Sequence, residues 1–116
     1  MTDPMPSEIQ LKTYSRKLVL SYGDQSHELD FEFLRVLSPS AEVQGHGQPI
    51  LQIGKENVMI TNLEPVGNYA IKITFNDGHD SGIYSWALLK KFCDEKDQLW
   101  EEYLQKLKQA GVERSI

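Results

Sequence analysis

Only one cysteine, Cys93, occurs among the 116 residues. It has no partner for an internal disulfide, which fits a reducing, cytoplasmic setting. No apolar run approaches the roughly 18 residues of a membrane-spanning helix. Residues Met1 to Ser7 carry neither a basic stretch nor an apolar core, so no signal peptide is expected there. Basic residues are not in excess: 12 Lys and Arg stand against 17 Asp and Glu, giving a net charge of −5. They are also scattered, and no stripe of them offsets duplex phosphate, so neither nucleic acid nor membrane is expected as a partner. Catalytic motifs are missing as well. No serine sits in a G-x-S-x-G elbow, and Gly45 and Gly47 lack the lysine and helix start of a phosphate loop.

What remains is ordinary for a globular domain, with 40% hydrophobic and 25% charged residues. A chain of this length buries a core without disulfide or metal staples. Residues 1–7, with two prolines and little to bury, read as a disordered lead, and residues 8–111 as one domain. From Glu8 the pattern alternates as strands do: Ile9 and Leu11, then Leu18, Leu20 and Tyr22, then a short His27–Leu29 segment, with turns at Ser15-Arg16 and at Gly23–Ser26. Asp30 is placed to cap a helix over Phe31–Leu37, which Ser38-Pro39 ends, because a residue before proline leaves the α region. Residues 38–49 read as a long polar loop. A strand follows at Val58–Thr61, a turn or bulge at Glu64–Asn68, and the cleanest alternation at Tyr69–Phe75.

The run Phe75 to Trp86, F-N-D-G-H-D-S-G-I-Y-S-W, carries most information. Asp77-Gly78 favours a two-residue hairpin turn with positive φ at both positions. Ser85 caps a helix reaching about Cys93. Asp94, with Asp97 three residues on, opens a second helix over 94–110 with Leu99, Trp100, Tyr103, Leu104 and Leu107 on one face, stopped by Gly111. Whether the two helices form one kinked rod stays open. Strands, a short helix, more strands and then helices make an α+β fold on an antiparallel meander.

The stretch Asp77–Trp86, together with Leu34–Gly47 (L-R-V-L-S-P-S-A-E-V-Q-G-H-G), resembles the small N-terminal domain of gamma-butyrobetaine dioxygenase and trimethyllysine dioxygenase. It is most similar to the stand-alone bacterial members of that family, whose function is unknown. The resemblance spans roughly residues 8 to 93, the range of one compact domain. It implies the fold, and an iron and 2-oxoglutarate chemistry that belongs to a separate catalytic domain for which this chain has no room. In the dioxygenases, three cysteines after the helix and a histidine in the turn hold a structural zinc. The matching positions here are Ser38, Ser40, Val43 and His79, so the resemblance implies that the zinc site is lost and no cofactor is expected. Relatives of the domain are also fused to P-loop ATPases of the iron–sulfur carrier type, which implies a protein partner of that kind.

Two readings of His79 compete. As a turn residue, its ring pins the hairpin to nearby backbone. As a metal ligand or acid–base group it would act with His46 and Asp77, the best metal set the sequence offers. The first is favoured, since too few good ligands stand together. Cys93 beside Phe92 reads as a buried small hydrophobe, and Tyr84 and Trp86 as core anchors where strand hands over to helix. We therefore expect a non-enzymatic accessory or protein-interaction domain. Its motif residues Arg35, His46, Asp77, Gly78, His79, Gly82, Tyr84 and Trp86 form the surface to probe first. The rivals are a small metal-binding protein or metal-dependent enzyme, and a subunit that dimerises through its C-terminal helix.

Overall fold

The computed structural model describes residues 5–45 and 47–114. The alternation near the N-terminus becomes a three-stranded antiparallel meander of β1 (Glu8–Lys12), β2 (Lys17–Tyr22) and β3 (Gln25–Asp30), in that spatial order. Ile9 pairs with Leu20, and Leu18 with Leu29. Period-two geometry sends Leu18, Leu20 and Leu29 to one face, where all three are fully buried. The β2–β3 turn is two residues long, with Gly23 at φ 67, where L side chains are strained. Before β1, Pro6 is buried and the Ser7 N–H donates to the Ser21 carbonyl at 2.7 Å.

A second antiparallel sheet holds β4 (Ile60–Val66), β5 (Ala70–Phe75) and β6 (Gly82–Ser85), in that order. Ile71, Ile73 and Phe75 point into the core as their alternation predicts. The expected turn at Glu64–Asn68 is corrected: β4 runs on through Glu64, Pro65 and Val66, with Pro65 opposite Ile71. Proline is accommodated because β4 is an edge strand, where a missing N–H need not cost a ladder bond.

Helix α1 (Phe31–Val36) forms where expected, but the Asp30 carboxylate accepts from Lys17 Nζ at 2.8 Å instead of capping the helix. The stretch read as a long loop contains a helical turn, α2 (Ala41–Gln44), with Ser40 at its N-cap position. The question left open at the C-terminus is answered by a single α3 (Trp86–Gln109), kinked at Glu95, whose φ of −116° and ψ of 18° leave the helical region. Ser85 Oγ accepts from the Leu88 N–H at 3.1 Å, so the cap expected there is present. The second helical stretch thus resumes just after Glu95, close to the start expected at Asp94, while the Asp94 carboxylate takes Lys90 Nζ one turn back at 2.7 Å and does not cap it. Gly111 ends α3 at φ 71, with the Gly111 N–H on the Lys108 carbonyl and the Val112 N–H on that of Leu107. That paired closure lets glycine satisfy carbonyls the helix leaves free.

One apolar cluster joins the inner faces of both sheets to α1 and to the first half of α3, through Phe31, Leu34, Tyr84, Leu89 and Phe92 among others. Phe33 meets Phe92 edge-on, with centroids 5.2 Å apart. A smaller cluster packs Tyr103 and Leu107 of α3 on Val36, so the C-terminal stripe is covered within the chain. The architecture is α+β, as expected. Among the described residues no helix is long and apolar enough to cross a membrane.

Candidate functional site

The hairpin between β5 and β6 is built differently from the two-residue turn its Asp-Gly pair suggests. The Phe75 N–H donates to the His79 carbonyl at 2.9 Å, and the Gly78 N–H returns to the Phe75 carbonyl at 3.3 Å. The loop is thus three residues long, with positive φ at Gly78 (92°) and not at Asp77. A turn followed by a left-handed glycine is the next commonest hairpin closure. Further along, Ile73 pairs with Gly82. Two steps on β5, from Phe75 to Ile73, therefore face three steps from His79 to Gly82. An extra residue of this kind re-aims the side chains beside it. His79 ends up buried, 3% exposed.

Around the His79 ring lie residues from the α1–α2 segment. Nε2 is 2.8 Å from Ser38 Oγ and 3.3 Å from Ser40 Oγ, and Nδ1 is 3.1 Å from a Glu42 carboxylate oxygen. The Ser40 N–H donates to Ser38 Oγ at 3.3 Å. Gln44 Nε2 donates to the Ser38 carbonyl at 2.8 Å, holding the segment from the other end of α2. Ser38 and Ser40 are themselves buried. Contacts between residues about 40 positions apart thus weld the helix-to-helix segment onto the hairpin.

Asp77 forms a second node. Its Oδ1 accepts the His79 backbone N–H at 3.1 Å, and its Oδ2 accepts from Arg35 Nε at 2.9 Å and Lys55 Nζ at 2.8 Å. Partial burial alone pushes the carboxyl up. The bonds from Lys55, the His79 amide and Arg35 outweigh that, and hold it down at about 2. Arg35, buried at 7% exposure, reaches on to Gln52 Oε1 at 3.1 Å, and the Gln52 carbonyl accepts from the Tyr103 hydroxyl at 2.8 Å. A polar chain therefore runs from the hairpin, through α1, to the far half of α3.

Several motif residues lie inside the fold: Tyr84 and Trp86 are the core anchors expected of them, and with Arg35 and His79 they do not form an open surface to probe. Tyr84 is fully buried, and its hydroxyl donates to the Leu34 carbonyl at 2.6 Å. Trp86 is 6% exposed, and its indole N–H donates to the Asn68 carbonyl at 2.9 Å. Gly82 is a spacing residue: a β-carbon there would stand 2.7 Å from Ser38 Oγ and 2.9 Å from Tyr84 Cε1. Gly78 lies in the exposed turn. His46 lies outside the described residues. Cys93 is buried, and burial pushes its thiol up, away from the reactive thiolate. His27 stands on β3, edge-on to Tyr22 at 6.0 Å between centroids.

The donor set at His79 does not suit zinc. Serine hydroxyls hold their protons and Val43 has no donor, whereas zinc takes thiolate, imidazole or carboxylate. Glu42 is the one anion on the ring, and its side chain is 69% exposed. Asp77 directs its oxygens to an amide and two cations, away from any shared site with the imidazole. Among the described residues no three His, Cys, Asp or Glu side chains gather as a metal site. The Ser38–His79–Glu42 order matches the connectivity of a serine nucleophile with its base and orienting acid. Ser38, however, has no exposure, so no substrate carbonyl meets its hydroxyl in this conformation.

On the other side of α2 the chain leaves an open cleft of about 570 Å³. Its floor is Val36, Leu37, Val43 and Leu99, and its walls are residues 47–52 and Tyr103, with Glu102 and Lys106 on the rim. The Ile50 N–H donates to the Val43 carbonyl at 2.7 Å, fixing the wall to α2. Ile50 is 56% exposed, and nearby in sequence Ile53 is 50% exposed. This cleft, and the partners Glu42, Gln52 and Lys55, were not legible in the sequence. Only Glu42 had a local sign, as an acid in the first turn after a serine cap; Gln52 and Lys55 meet their partners across 17 and 22 positions.

Comparison with known proteins fits this geometry. The gamma-butyrobetaine hydroxylase-like N-terminal family matches residues 9–90. A protein solved in solution by NMR is 53% identical, with a TM-score of 0.87 over 98% of this chain and 92% of its own. A second NMR structure is 47% identical, with a TM-score of 0.81 over 96% and 85%. A crystal structure of a protein of unknown function from Acidithiobacillus ferrooxidans, of the DUF971 family, is 36% identical, with a TM-score of 0.65 over 78% and 96%. No curated protein matches. With its hairpin, its α1–α2 segment and its family match all on the same residues, this chain belongs to the gamma-butyrobetaine hydroxylase-like N-terminal domain family.

Proposed function

We propose that the domain is a non-enzymatic accessory module that binds a partner protein through the cleft between residues 47–52 and the second half of α3. The observation that carries this reading is the cleft itself, apolar at its floor, with Ile50 more than half exposed on its wall. An exposed apolar side chain beside a concave apolar surface is the form that anchoring pockets take in protein interfaces. The fusions of relatives to iron–sulfur carrier ATPases make such an ATPase the partner to test first. A lone buried thiol and an acidic, unstriped surface support a cytoplasmic setting.

The competing reading, a small metal protein or metal-dependent enzyme built on His79, His46 and Asp77, has less support. Asp77 is committed to Arg35 and Lys55, and the His79 ring to serines and Glu42. The test is an NMR titration of the ¹⁵N-labelled domain with the purified ATPase. Shifts confined to the amides of Ile50, Leu51 and Tyr103, abolished in Ile50→Asp, are the expected result. No shift at saturating ATPase, or shifts centred elsewhere, would remove the proposal.

A further inference from the structure

The positions that correspond to a metal site in related domains still converge here, although their donors do not suit an ion. Ser38 and Ser40 meet Nε2 of His79, Glu42 meets Nδ1, and Val43 is buried one residue further on. The direction of each bond follows from the groups present. An ionised carboxylate only accepts, so the Glu42 oxygen takes a proton from Nδ1. Ser38 Oγ accepts the Ser40 amide with one lone pair, and its single hydroxyl hydrogen is available to be given to Nε2. In a neutral ring with its proton on Nδ1, Nε2 carries the lone pair that receives it.

We infer that this chain closes the site with a hydrogen-bonded chain instead of an ion: His79, in its Nδ1-protonated neutral form, links the Ser38 and Ser40 hydroxyls to the Glu42 carboxylate and pins the α1–α2 segment to the β5–β6 hairpin. The hydrogen-bonded chain is well suited to that work. Both hydroxyls and the ring are buried, so the hydrogen bonds between them are shielded from competing water, while the exposed Glu42 carboxylate closes the chain from the solvent side. The connection spans 37 to 41 positions of sequence, so it closes long loops much as a metal would. Gly82 makes it sterically feasible by leaving room for Ser38 Oγ. The neighbouring Asp77 node orients the ring from behind through the His79 amide. This inference is independent of the cleft and of any partner.

The experiment uses the full chain, without a histidine tag. Long-range ¹H–¹⁵N correlation of the His79 ring at neutral pH should show a protonated Nδ1 and an acceptor-type Nε2. In Glu42→Gln the ring populations should move toward the Nε2-protonated form, because the carboxylate that favours Nδ1–H is gone. The thermal midpoint of the wild type should be the same with EDTA as with added zinc, and should fall in His79→Ala in both. Three outcomes would overturn the inference: an Nε2-protonated ring in the wild type, a ring unaffected by Glu42→Gln, or stoichiometric zinc whose removal by EDTA lowers the midpoint. If His79→Ala does not fold, the wild-type and Glu42→Gln measurements still decide the matter.

Discussion

Ser38 Oγ lies 2.7 Å from the point where a β-carbon on residue 82 would stand, so Ser38 and Gly82 share a space that only glycine leaves open. Gly82 does not take positive φ. Its need for glycine is therefore one of room, set by the α1–α2 segment pressing against the sheet and by the Tyr84 ring beside it.

A methyl group at 82 should tell on stability. Gly82→Ala forces the buried Ser38 hydroxyl or the Tyr84 ring to move, at a cost of about 1–3 kcal/mol, as overpacking typically gives. Urea unfolding at neutral pH measures it. In a Ser38→Gly background the same methyl should cost less, by about 1 kcal/mol. Equal costs in both backgrounds would show that Ser38 is not the obstacle.

Asp77 sets an acid limit. An unperturbed aspartate titrates at 3.8, and this one, folded, at about 2. Because the folded value is the lower, the stabilisation is complete above the unfolded value. It declines as pH falls from about 4 through about 2. Discounted for the solvent screening of an exposed turn, the amount is on the order of 1 kcal/mol. Asp77→Asn should lose roughly that at pH 7 and show a flatter acid limb in urea unfolding followed from pH 7 down to 2. An unchanged limb in the variant would place the acid sensitivity elsewhere.

The C-terminal segment is held by a carboxylate from α1. Glu32, 6% exposed, accepts from Arg114 Nε at 2.8 Å and from its terminal nitrogen as well, and the guanidinium lies 5.2 Å from the centroid of the Trp100 ring. Removing the arginine strands a buried charge, so Arg114→Ala should destabilise by about 2 kcal/mol; a fully buried pair costs more, and Arg114 is about a third exposed. Arg114→Lys should recover less than half, since an ammonium matches neither the two-point bond nor the stacking. Glu32→Gln in the Arg114→Ala background should restore part of the loss, because the uncompensated charge is then gone. Differential scanning calorimetry of the four proteins checks all three statements.

The edge proline shows how a local signal misleads. Glu64-Pro65-Val66-Gly67-Asn68 contains the residues turns favour, and only the last two make the turn. Pro65 lies inside β4 because, among the described residues, no strand pairs with the outer side of β4, and a strand's place in a sheet is not written in its own residues. The Asp77-Gly78 turn misleads for a related reason. Its glycine takes positive φ as expected, but the Asp77 side chain is drawn to Arg35 and Lys55, and the loop is one residue longer than the pair alone favours.

Periodicity and capping are local properties, carried by neighbours a few bonds apart. For that reason the sequence by itself determined the strands around Leu18, Leu20 and Ile71–Phe75, the Ser85 helix start, the Gly111 stop and the α+β class. The two motifs were visible for the same reason, since each is a short contiguous run. Only the tertiary structure decided that Ser38, Ser40 and Glu42 surround His79, that Arg35 and Lys55 share Asp77, and that an apolar cleft opens beside α2. These are meetings of side chains 22 to 42 positions apart. Their geometry is set by how the two sheets and α3 bury a common core, which no single stretch of chain specifies.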